Sequence, residues 1–569
     1  MYRIIPLLTL LFALVSCTDP NPPAAAVVEA AAPAHFDLLI QNGMVYDGSG
    51  GPAFRADIGV TGDRIAAIGL NLGTAEQVID ASDQAVAPGF INMLSWANES
   101  LIQDGRSMSD IRQGVTLEVM GEGFSMGPLN DAMKAEMLAR QADVKYDIKW
   151  TSLGEYLQYL QDKGISTNVA SFVGATTVRV HELGYEDRPP TPEELLRMQD
   201  LVRQAMQEGA MGVGSSLIYT PAFFAKTDEL IALSKVAAEY GGRYISHMRN
   251  EGNRLNEAVE ELITIAREAG IGAEIYHLKA AGKDNWGKLE SVFNQVTAAQ
   301  AEGLDISADM YTYIAGATGL DAAMPAWVQE GGHDAWVARL KDPEVRARLE
   351  KEMNTPTDEW DNLYLAAGST ENILFIQFKN PELKPLTGKT LAEVVAMRGT
   401  SPAITMMDLV IEDNSRVGTA YFLMDEANVS KQIAQPWVAF GSDEESKSLE
   451  GVFLQYNSHP RALGNFARLL GKYVRDEGVI ALPEAIRRLS SFPAHNLKIR
   501  ERGELQAGYY ADIVVFDPAT IQDHATFAQP HQYATGVNDV IVNGVPVLLG
   551  GEHTGATPGR FVKGPGWKR

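Results

Sequence analysis

The sequence predicts an α/β fold in which a parallel barrel is joined to a small β-sandwich formed by both chain ends. Short apolar runs alternate with amphipathic helical stretches over roughly 400 residues, and this alternation is typical of a parallel α/β domain. The two ends are β-rich instead, with Asn42-Gly43, Gly62-Asp63 and Asn543-Gly544 as turn signals. Distant β-rich ends can pair when a closed domain lies between them. Chain length and this split module therefore favour a barrel over an open sheet.

Shifts in composition divide the chain into regions. The barrel is interrupted where the strand–helix rhythm breaks, which predicts an insertion. The predicted regions are a signal peptide (1–17), a disordered tether (18–35), the N-terminal part of the sandwich (36–86), the barrel (87–494) with an insertion around 331–435, and the C-terminal part of the sandwich (495–569).

Within the barrel, short apolar runs predict strands and amphipathic runs predict helices. Residues 191–209 and 253–270 have the apolar spacing of helices, and Gly270 is a stop signal for the second. The predicted strands lie in 166–174, 209–217, 241–249, 272–280, 303–313 and 437–445.

Charge and cysteine content exclude several classes of protein. Lys and Arg total 48 against 73 Asp and Glu, so the net charge of −25 argues against a nucleic-acid partner. Cys17 is the single cysteine, which excludes an internal disulfide and any cysteine-based metal cluster.

The N-terminal segment predicts export and a lipid anchor. Arg3 precedes an apolar run that is too short to span a bilayer but suits a signal peptide. Leu14-Val15-Ser16-Cys17 resembles a bacterial lipobox, in which the cysteine becomes the lipidated first residue. We therefore expect a lipoprotein of the cell envelope that contacts membrane only through Cys17, and Thr18 after the cysteine favours the outer membrane. The alternative is an ordinary secretory signal and a periplasmic protein.

Three candidate functional residues lie near predicted strand ends, where barrel enzymes place their sites. His247 and His277 end consecutive strands, and Asp443 follows a later one. A neutral imidazole is a good Zn²⁺ ligand, and an aspartate can take a proton from a metal-bound water. The pattern predicts one metal site with one carboxylate beside it.

Several long and unusual segments lie along the chain from residue 36 to residue 563. They include APGFI (87–91), SSLIYTPAFFAKTDEL (215–230), YISHMRNEG (244–252), HLKAAGKDNWGK (277–288), DMYTYIAGAT (309–318), GSD (441–443), HPRALGNFARLLGKYVR (459–475) and RGELQAGYYADIVVFDP (502–518). In these segments the chain resembles the amidohydrolase superfamily and, within it, the N-acyl-D-amino-acid deacylase (D-aminoacylase) family. The resemblance implies a (β/α)8 barrel with a small β-sandwich.

The resemblance implies a role for each matching residue. His247 and His277 match the family's zinc-binding histidines, and Asp443 matches its general base. Arg461 matches the arginine that holds the substrate carboxylate, a role that its bidentate fork suits. Three further residues fall on or near family positions that contact substrate, namely Lys279, Tyr219 and Tyr311. For Lys279 the alternative is a counter-ion to Glu122 or Asp443.

The chain departs from the family at two places. Leu94 and Trp96 stand where the family has a His-x-His pair, so a second metal site of the usual kind is absent or weakened. Core filling is the expected role of Trp96, with stacking on substrate as the alternative. Glu122 aligns with the family's zinc-binding cysteine. Glu122, His247 and His277 then form an accepted ligand set for one catalytic Zn²⁺ or another divalent metal.

These residues predict a hydrolase that cleaves the amide bond of an N-acyl amino acid or a dipeptide-like substrate. The preference for D-amino acids is implied by the resemblance alone. Two alternatives remain open at this stage. One is a hydrolase of cyclic amides or small peptides in the same superfamily, and the other is a non-catalytic, surface-tethered binding protein on a degenerate barrel.

Overall fold

The computed structural model describes residues 34–568, which form a mixed α/β fold. The predicted signal peptide with Cys17, and the tether up to residue 33, lie outside the described residues. In chain order the strands are β1 (Ala34–Val45), β2 (Phe54–Thr61), β3 (Arg64–Gly69), β4 (Gly73–Asp80), β5 (Ala85–Pro88), β6 (Phe90–Asn92), β7 (Val115–Met120), β8 (Asn168–Ser171), β9 (Val173–Gly174), β10 (Gly212–Ser216), β11 (Arg243–His247), β12 (Gly272–Ile275), β13 (Ile306–Met310), β14 (Ala315–Thr318), β15 (Ile373–Gln377), β16 (Gly418–Phe422), β17 (Val438–Phe440), β18 (Ile513–Phe516), β19 (Val537–Val542), β20 (Val545–Leu549) and β21 (Glu552–His553).

The α-helices alternate with the parallel strands and also fill the segment between β14 and β17. In chain order they are α1 (Ser100–Gln103), α2 (Met108–Ile111), α3 (Asp131–Arg140), α4 (Leu153–Lys163), α5 (Ala175–Leu183), α6 (Pro192–Glu208), α7 (Thr227–Glu239), α8 (Leu255–Ala269), α9 (Leu289–Ala301), α10 (His333–Leu340), α11 (Pro343–Met353), α12 (Leu363–Ala366), α13 (Leu391–Arg398), α14 (Pro402–Asp413), α15 (Glu426–Ile433), α16 (Arg461–Arg468), α17 (Leu482–Leu489) and α18 (Ser491–Asn496).

The predicted helices are confirmed, and local chemistry explains their ends. Helix α6 begins after Thr191, which forms a capping box with Glu194 that satisfies first-turn backbone donors. Helix α8 ends at Gly270, whose φ of 63° is the left-handed conformation that glycine adopts without strain.

Two parallel sheets position the candidate site. One has the order β6-β7-β8 and the other has the order β9-β10-β11-β12-β13-β17. Their strands are almost entirely buried, as expected for a parallel sheet covered on both faces. Phe172 alone separates β8 from β9. At the other end, the Met93 N–H donates to the Phe440 carbonyl over 3.1 Å and the Asp443 N–H donates to the Leu94 carbonyl over 2.8 Å. The segments after β6 and β17 are therefore hydrogen-bonded to each other.

Both chain ends contribute to one nine-stranded sheet. Its order is β21-β20-β19-β18-β5-β1-β2-β3, and β4 pairs with β1. Strands β5 and β18 join the two halves in antiparallel register. Apolar side chains from both halves, such as Ile58 and Ile513, share one buried cluster. The predicted pairing of the two ends is thus confirmed.

One turn prediction is wrong. Asn42-Gly43 lies inside β1, where the register with β2 shifts between Ile40 and Gly43. Asn42 has a φ of 65°, so the dipeptide forms a bulge rather than a hairpin turn. The same left-handed preference that favours Asn-Gly in tight turns also suits a bulge. The signals at Gly62-Asp63 and Asn543-Gly544 do connect β2 to β3 and β19 to β20.

A third, antiparallel sheet interrupts the parallel alternation. Its order is β14-β16-β15, and helices α10 to α14 lie between its strands in sequence. This segment has its own apolar cluster, which includes Trp336, Phe375 and Met406. Within residues 34–568, no single helix has the length and apolar character needed to cross a membrane. Helices α13 and α14 pass that test only as a pair bent by 89°, and several of their apolar side chains belong to this cluster.

Candidate active site

Glu122, His247 and His277 meet at the ends of three parallel strands. The Glu122 Oε1 atom lies 3.2 Å from His247 Nδ1 and 3.0 Å from His277 Nε2. All three side chains are buried, and one ligand atom from each lies within 4.8 Å of the others. Among residues 34–568, this is the group of His, Asp and Glu side chains that could hold a metal ion. The structure therefore brings together the three ligands that the sequence predicts.

The backbone around these residues adopts conformations that aim the side chains. Gly121, between β7 and Glu122, has a φ of 106°, and a Cβ at this position would overlap the Phe172 carbonyl oxygen. His277 and Asp443 have φ values of 33° and 51°, which residues other than glycine rarely adopt. Such backbone strain persists only where surrounding contacts enforce it, and it clusters at functional sites.

The charges in the cluster favour a bound cation. Burial raises the pKa of Glu122, but the neighbouring imidazoles of His277 and His247 outweigh this effect and hold it below its usual range. Burial and the Lys279 ammonium lower the pKa of His277, but the carboxylates of Glu251 and Glu122 outweigh them and raise it to about 10. Two buried carboxylates therefore flank the His277 ring, and a metal ion would satisfy the same excess of negative charge.

Glu251 is a site residue that the sequence patterns do not predict. Its carboxylate lies 3.2 Å from His277 Nδ1 and 3.7 Å from His247 Nε2, so it faces the ring nitrogens that point away from Glu122. Lys279 Nζ donates to the same carboxylate over 2.6 Å. Lys279 is therefore a counter-ion, but to Glu251 rather than to Glu122 or Asp443. The only sequence signal for Glu251 is its place four residues after His247.

Asp443 lies beside the cluster and is held by two donors. Trp96 Nε1 donates to its Oδ1 over 3.1 Å, and an Arg461 guanidinium nitrogen lies 2.8 Å from its Oδ2. Burial raises the pKa of Asp443, Arg461 opposes this, and the Glu122 carboxylate adds to it, so the net shift is upward. A carboxylate with a raised pKa is a better proton acceptor than an ordinary aspartate and can return the proton afterwards.

Arg461 and Tyr311 present unpaired donors next to Asp443. Arg461 is 1% exposed, and its Nη2 also donates to the Asp443 carbonyl over 2.7 Å. Its Nε and Nη1 atoms, and the Tyr311 hydroxyl, have no hydrogen-bond partner in the part of the chain that the structure describes. The guanidinium carbon lies 4.3 Å from the centroid of the Tyr311 ring. Unpaired buried donors are costly, so these three groups fit an anionic ligand such as a carboxylate.

One cavity of about 680 Å³ contains the whole arrangement. Tyr219 lies on its wall, with its ring centroid 5.2 Å from that of His247. Strand β14 adds Thr318, and the segment before β16 adds Arg416, so the third sheet forms part of the wall. The predicted site residues in this cavity are Glu122, His247, His277, Lys279, Tyr219, Tyr311, Asp443 and Arg461.

A buried His-His-Glu group and a separate carboxylate, at the ends of parallel strands, define a metal-dependent hydrolase of the α/β class. A model of the amidohydrolase family matches residues 77–548, and the chain belongs to this family. A D-aminoacylase from Alcaligenes xylosoxydans xylosoxydans is 35% identical over 532 residues, which are 93% of this chain and 97% of the relative.

Two solved structures extend this similarity to the fold. An N-acyl-D-glutamate deacylase from Bordetella bronchiseptica is 29% identical with a TM-score of 0.76, and the match covers 93% of this chain and all of that one. Its structure holds zinc and a phosphonate inhibitor that mimics the tetrahedral intermediate. A D-aminoacylase structure, 32% identical, has the same TM-score and coverage. That D-aminoacylase has a binuclear metal centre, in which one metal ion activates and the second metal ion attenuates.

Proposed function

We propose that this protein is a metal-dependent deacylase that hydrolyses N-acyl amino acids to a carboxylic acid and a free amino acid. The observation that carries the proposal is the buried Glu122–His247–His277 group, which opens into the same cavity as Asp443 and the unpaired donors of Arg461. The relatives matched over more than nine-tenths of the chain are D-aminoacylase and an N-acyl-D-glutamate deacylase. These names favour a D-amino acid substrate and a linear amide over the two alternatives.

The residues fit one zinc ion. Two imidazole nitrogens and one carboxylate oxygen, with a fourth position left open, form an accepted set for catalytic zinc, and other divalent metals suit the same donors. The group lies beside the cavity, so the open position would face a substrate. A divalent ion held there would lower the pKa of a bound water and polarise the scissile carbonyl.

Asp443 performs the proton transfers in this proposal. Its carboxylate accepts a proton from the attacking water while the new C–O bond forms. It then donates that proton to the amide nitrogen as the C–N bond breaks, which leaves the acid and the free amine. Its raised pKa suits both steps. Tyr219, which packs edge-on against His247, donates a hydrogen bond to the carbonyl oxygen in this proposal, and so stabilises the negative charge that develops there.

Arg461 and Tyr311 orient the substrate in this proposal. The free Nε and Nη1 donors of Arg461 and the Tyr311 hydroxyl bind the carboxylate of the amino-acid part. Lys279 Nζ lies 5.8 Å from the Tyr311 ring centroid, so it adds positive charge to the same region. This arrangement would hold the scissile amide between the metal ligands and Asp443.

We further propose that the parallel strands form one closed (β/α)8 barrel. The strands β6, β7, β8 with β9, β10, β11, β12, β13 and β17 supply the eight positions, and the hydrogen bonds from Met93 to Phe440 and from Asp443 to Leu94 support closure. The shared apolar cluster of the nine-stranded sheet supports its folding into the expected sandwich.

The lipobox resemblance at Cys17 supports an exported lipoprotein, anchored in the cell envelope through Cys17 alone.

Substitution of Asp443 tests the proposed function. We expect Asp443→Asn to abolish release of free amine from N-acyl-D-amino acids, because an amide cannot accept the proton, while bound zinc stays near one ion per chain. The matched control is Asp408→Asn, which alters an ion pair with Arg346 outside the cavity and should leave the rate unchanged. Full activity of Asp443→Asn would overturn the assignment. A panel of paired D- and L-substrates and a cyclic amide separates the deacylase from the alternative hydrolase.

A further inference from the structure

Trp96 makes a contact that neither of its expected roles explains. It follows strand β6 and is partly buried on the cavity wall. Its indole Nε1 atom lies 3.0 Å from Glu122 Oε2 and 3.1 Å from Asp443 Oδ1, so one N–H donor bridges two carboxylates. One of these carboxylates belongs to the candidate metal group and the other is the proposed proton acceptor. The side chain therefore links the two functional halves of the site.

The two carboxylates need a positive group between them. Glu122 Oε2 and Asp443 Oδ1 both lie within 3.1 Å of the same indole nitrogen, so two groups of like charge face this point and repel each other. A metal ion or a hydrogen-bond donor at the midpoint would relieve this repulsion. The indole nitrogen supplies a donor only, since it has no lone pair available for a metal. Leu94, two residues earlier, is fully buried among apolar side chains and also offers no ligand atom.

We propose that Trp96 takes the place of a second metal ion, bridging Glu122 to Asp443 and limiting the site to one ion. This inference rests on the proposed function. Trp96 is a positioning residue, since it acts on the reaction through Asp443. The D-aminoacylase relative differs, because its centre is binuclear and its second metal attenuates activity. In this protein the indole occupies the space between the carboxylates, so excess zinc has no second position from which to inhibit.

Metal stoichiometry tests the first part of the proposal. The full chain is dialysed against increasing Zn²⁺, and bound zinc is measured by mass spectrometry alongside the rate of amine release. We expect the wild type to hold one ion per chain and to keep its rate in excess zinc. Trp96→His alone, and the double variant Leu94→His with Trp96→His, should bind a second ion and lose activity as zinc rises. The single variant keeps Leu94 in the core, so the test can still be made if the double variant does not fold.

Trp96→Phe tests the positioning role, because phenylalanine keeps most of the ring but has no N–H. We expect kcat to fall about tenfold, the effect of losing one hydrogen bond worth roughly 1.4 kcal/mol, while KM and the single bound ion remain unchanged. The matched control is Trp437→Phe, a buried tryptophan that packs on Phe293 away from the cavity.

Three outcomes would overturn the proposal. Two ions in the wild type would show that Trp96 does not restrict the site, and the proposed deacylase function would stand. An unchanged kcat for Trp96→Phe would overturn the positioning role. A wild-type chain that binds no zinc and releases no amine would instead overturn the proposed function, and this inference with it.

Discussion

Glu251 shows how a residue outside the metal group can control it. Its carboxylate faces His277 Nδ1 and His247 Nε2, the ring nitrogens opposite those that face Glu122. A carboxylate in this position fixes the orientation and the tautomer of a ligand histidine. The contact with His277 Nδ1, at 3.2 Å, is within hydrogen-bond distance, whereas His247 Nε2 lies 3.7 Å away and has no hydrogen-bond partner in the described residues. Loss of Glu251 should therefore disturb His277 directly and His247 through charge alone.

We therefore expect Glu251→Gln to weaken zinc binding about 10- to 100-fold, the usual effect of removing a partner of ligand histidines. Competition with a zinc chelator measures the dissociation constant directly. Glu261→Gln is the matched control, since Glu261 pairs with Arg249 and does not line the cavity. An unchanged zinc affinity in Glu251→Gln would show that Glu251 serves only to neutralise Lys279.

At the level of residues, the sequence predicts ligands better than it predicts their partners. His247, His277 and Asp443 follow strands, and strand ends converge at one edge of a parallel sheet, so their proximity was predictable. Glu251 and Trp96 act through side-chain directions in loops, which have no sequence period. The hydrogen bonds of Trp96 in particular require that Glu122 and Asp443 both approach the same indole nitrogen.

At the level of elements, Asn92 joins the first parallel strand to the segment that carries Asp443. Its Oδ1 accepts from the Ser442 N–H over 2.8 Å, and its Nδ2 donates to Ser442 Oγ over 2.8 Å and to Asp110 Oδ1 over 3.0 Å. All of these groups are buried. The amide allows Asp110 to lie next to it without repulsion.

We expect an aspartate at position 92 to destabilise the fold. Asn92→Asp would place a second buried carboxyl beside Asp110, whose pKa is already raised well above its usual range by burial and by Glu118. Urea unfolding at pH 7 should show a loss of about 2–4 kcal/mol. The new carboxyl would have a raised pKa in the folded state, so the loss should grow as pH rises and shrink at pH 5.

The control for this prediction is Asn372→Asp, an exposed asparagine of the same size, for which we expect little change at either pH. Equal stability of Asn92→Asp and the wild type across this pH range would contradict the prediction. It would mean that Asp110 can move away from Asn92.

The elements divide into those that local patterns specify and those that long-range pairing decides. Helix α8 was predictable to its last turn because its apolar period and Gly270 agree. The bulge at Asn42 was not, since the same dipeptide suits a turn, and the register with β2 decides between the two. The β14-β16-β15 sheet pairs strands that are distant in the chain, and only the break in strand–helix rhythm predicts that something differs there.

At the level of the whole molecule, one architecture brings distant parts of the chain to the cavity. The metal group comes from three strand ends, Asp443 and Arg461 follow the last parallel strand, and Arg416 lies just before β16 of the antiparallel sheet. Both chain ends pair in one sheet, and β1 begins at Ala34. The chain from Cys17 to Ala34 can span at most about 60 Å when fully extended. If Cys17 is lipidated, the catalytic body must stay within this distance of the membrane.

Cys17→Ser tests the anchor. When the full chain is expressed in a Gram-negative bacterium with an alkyne-labelled fatty acid, we expect the wild type to carry the label and to sediment with membranes, because a diacylated cysteine binds a bilayer stably. Cys17→Ser should be unlabelled and soluble after cell lysis, with unchanged kcat/KM, since every proposed catalytic residue lies within residues 34–568. Ser16→Ala, which keeps the cysteine, is the matched control and should still be labelled. Because Cys17 is the only cysteine, label on the Cys17→Ser variant or its absence from the wild type would each contradict lipidation at this residue.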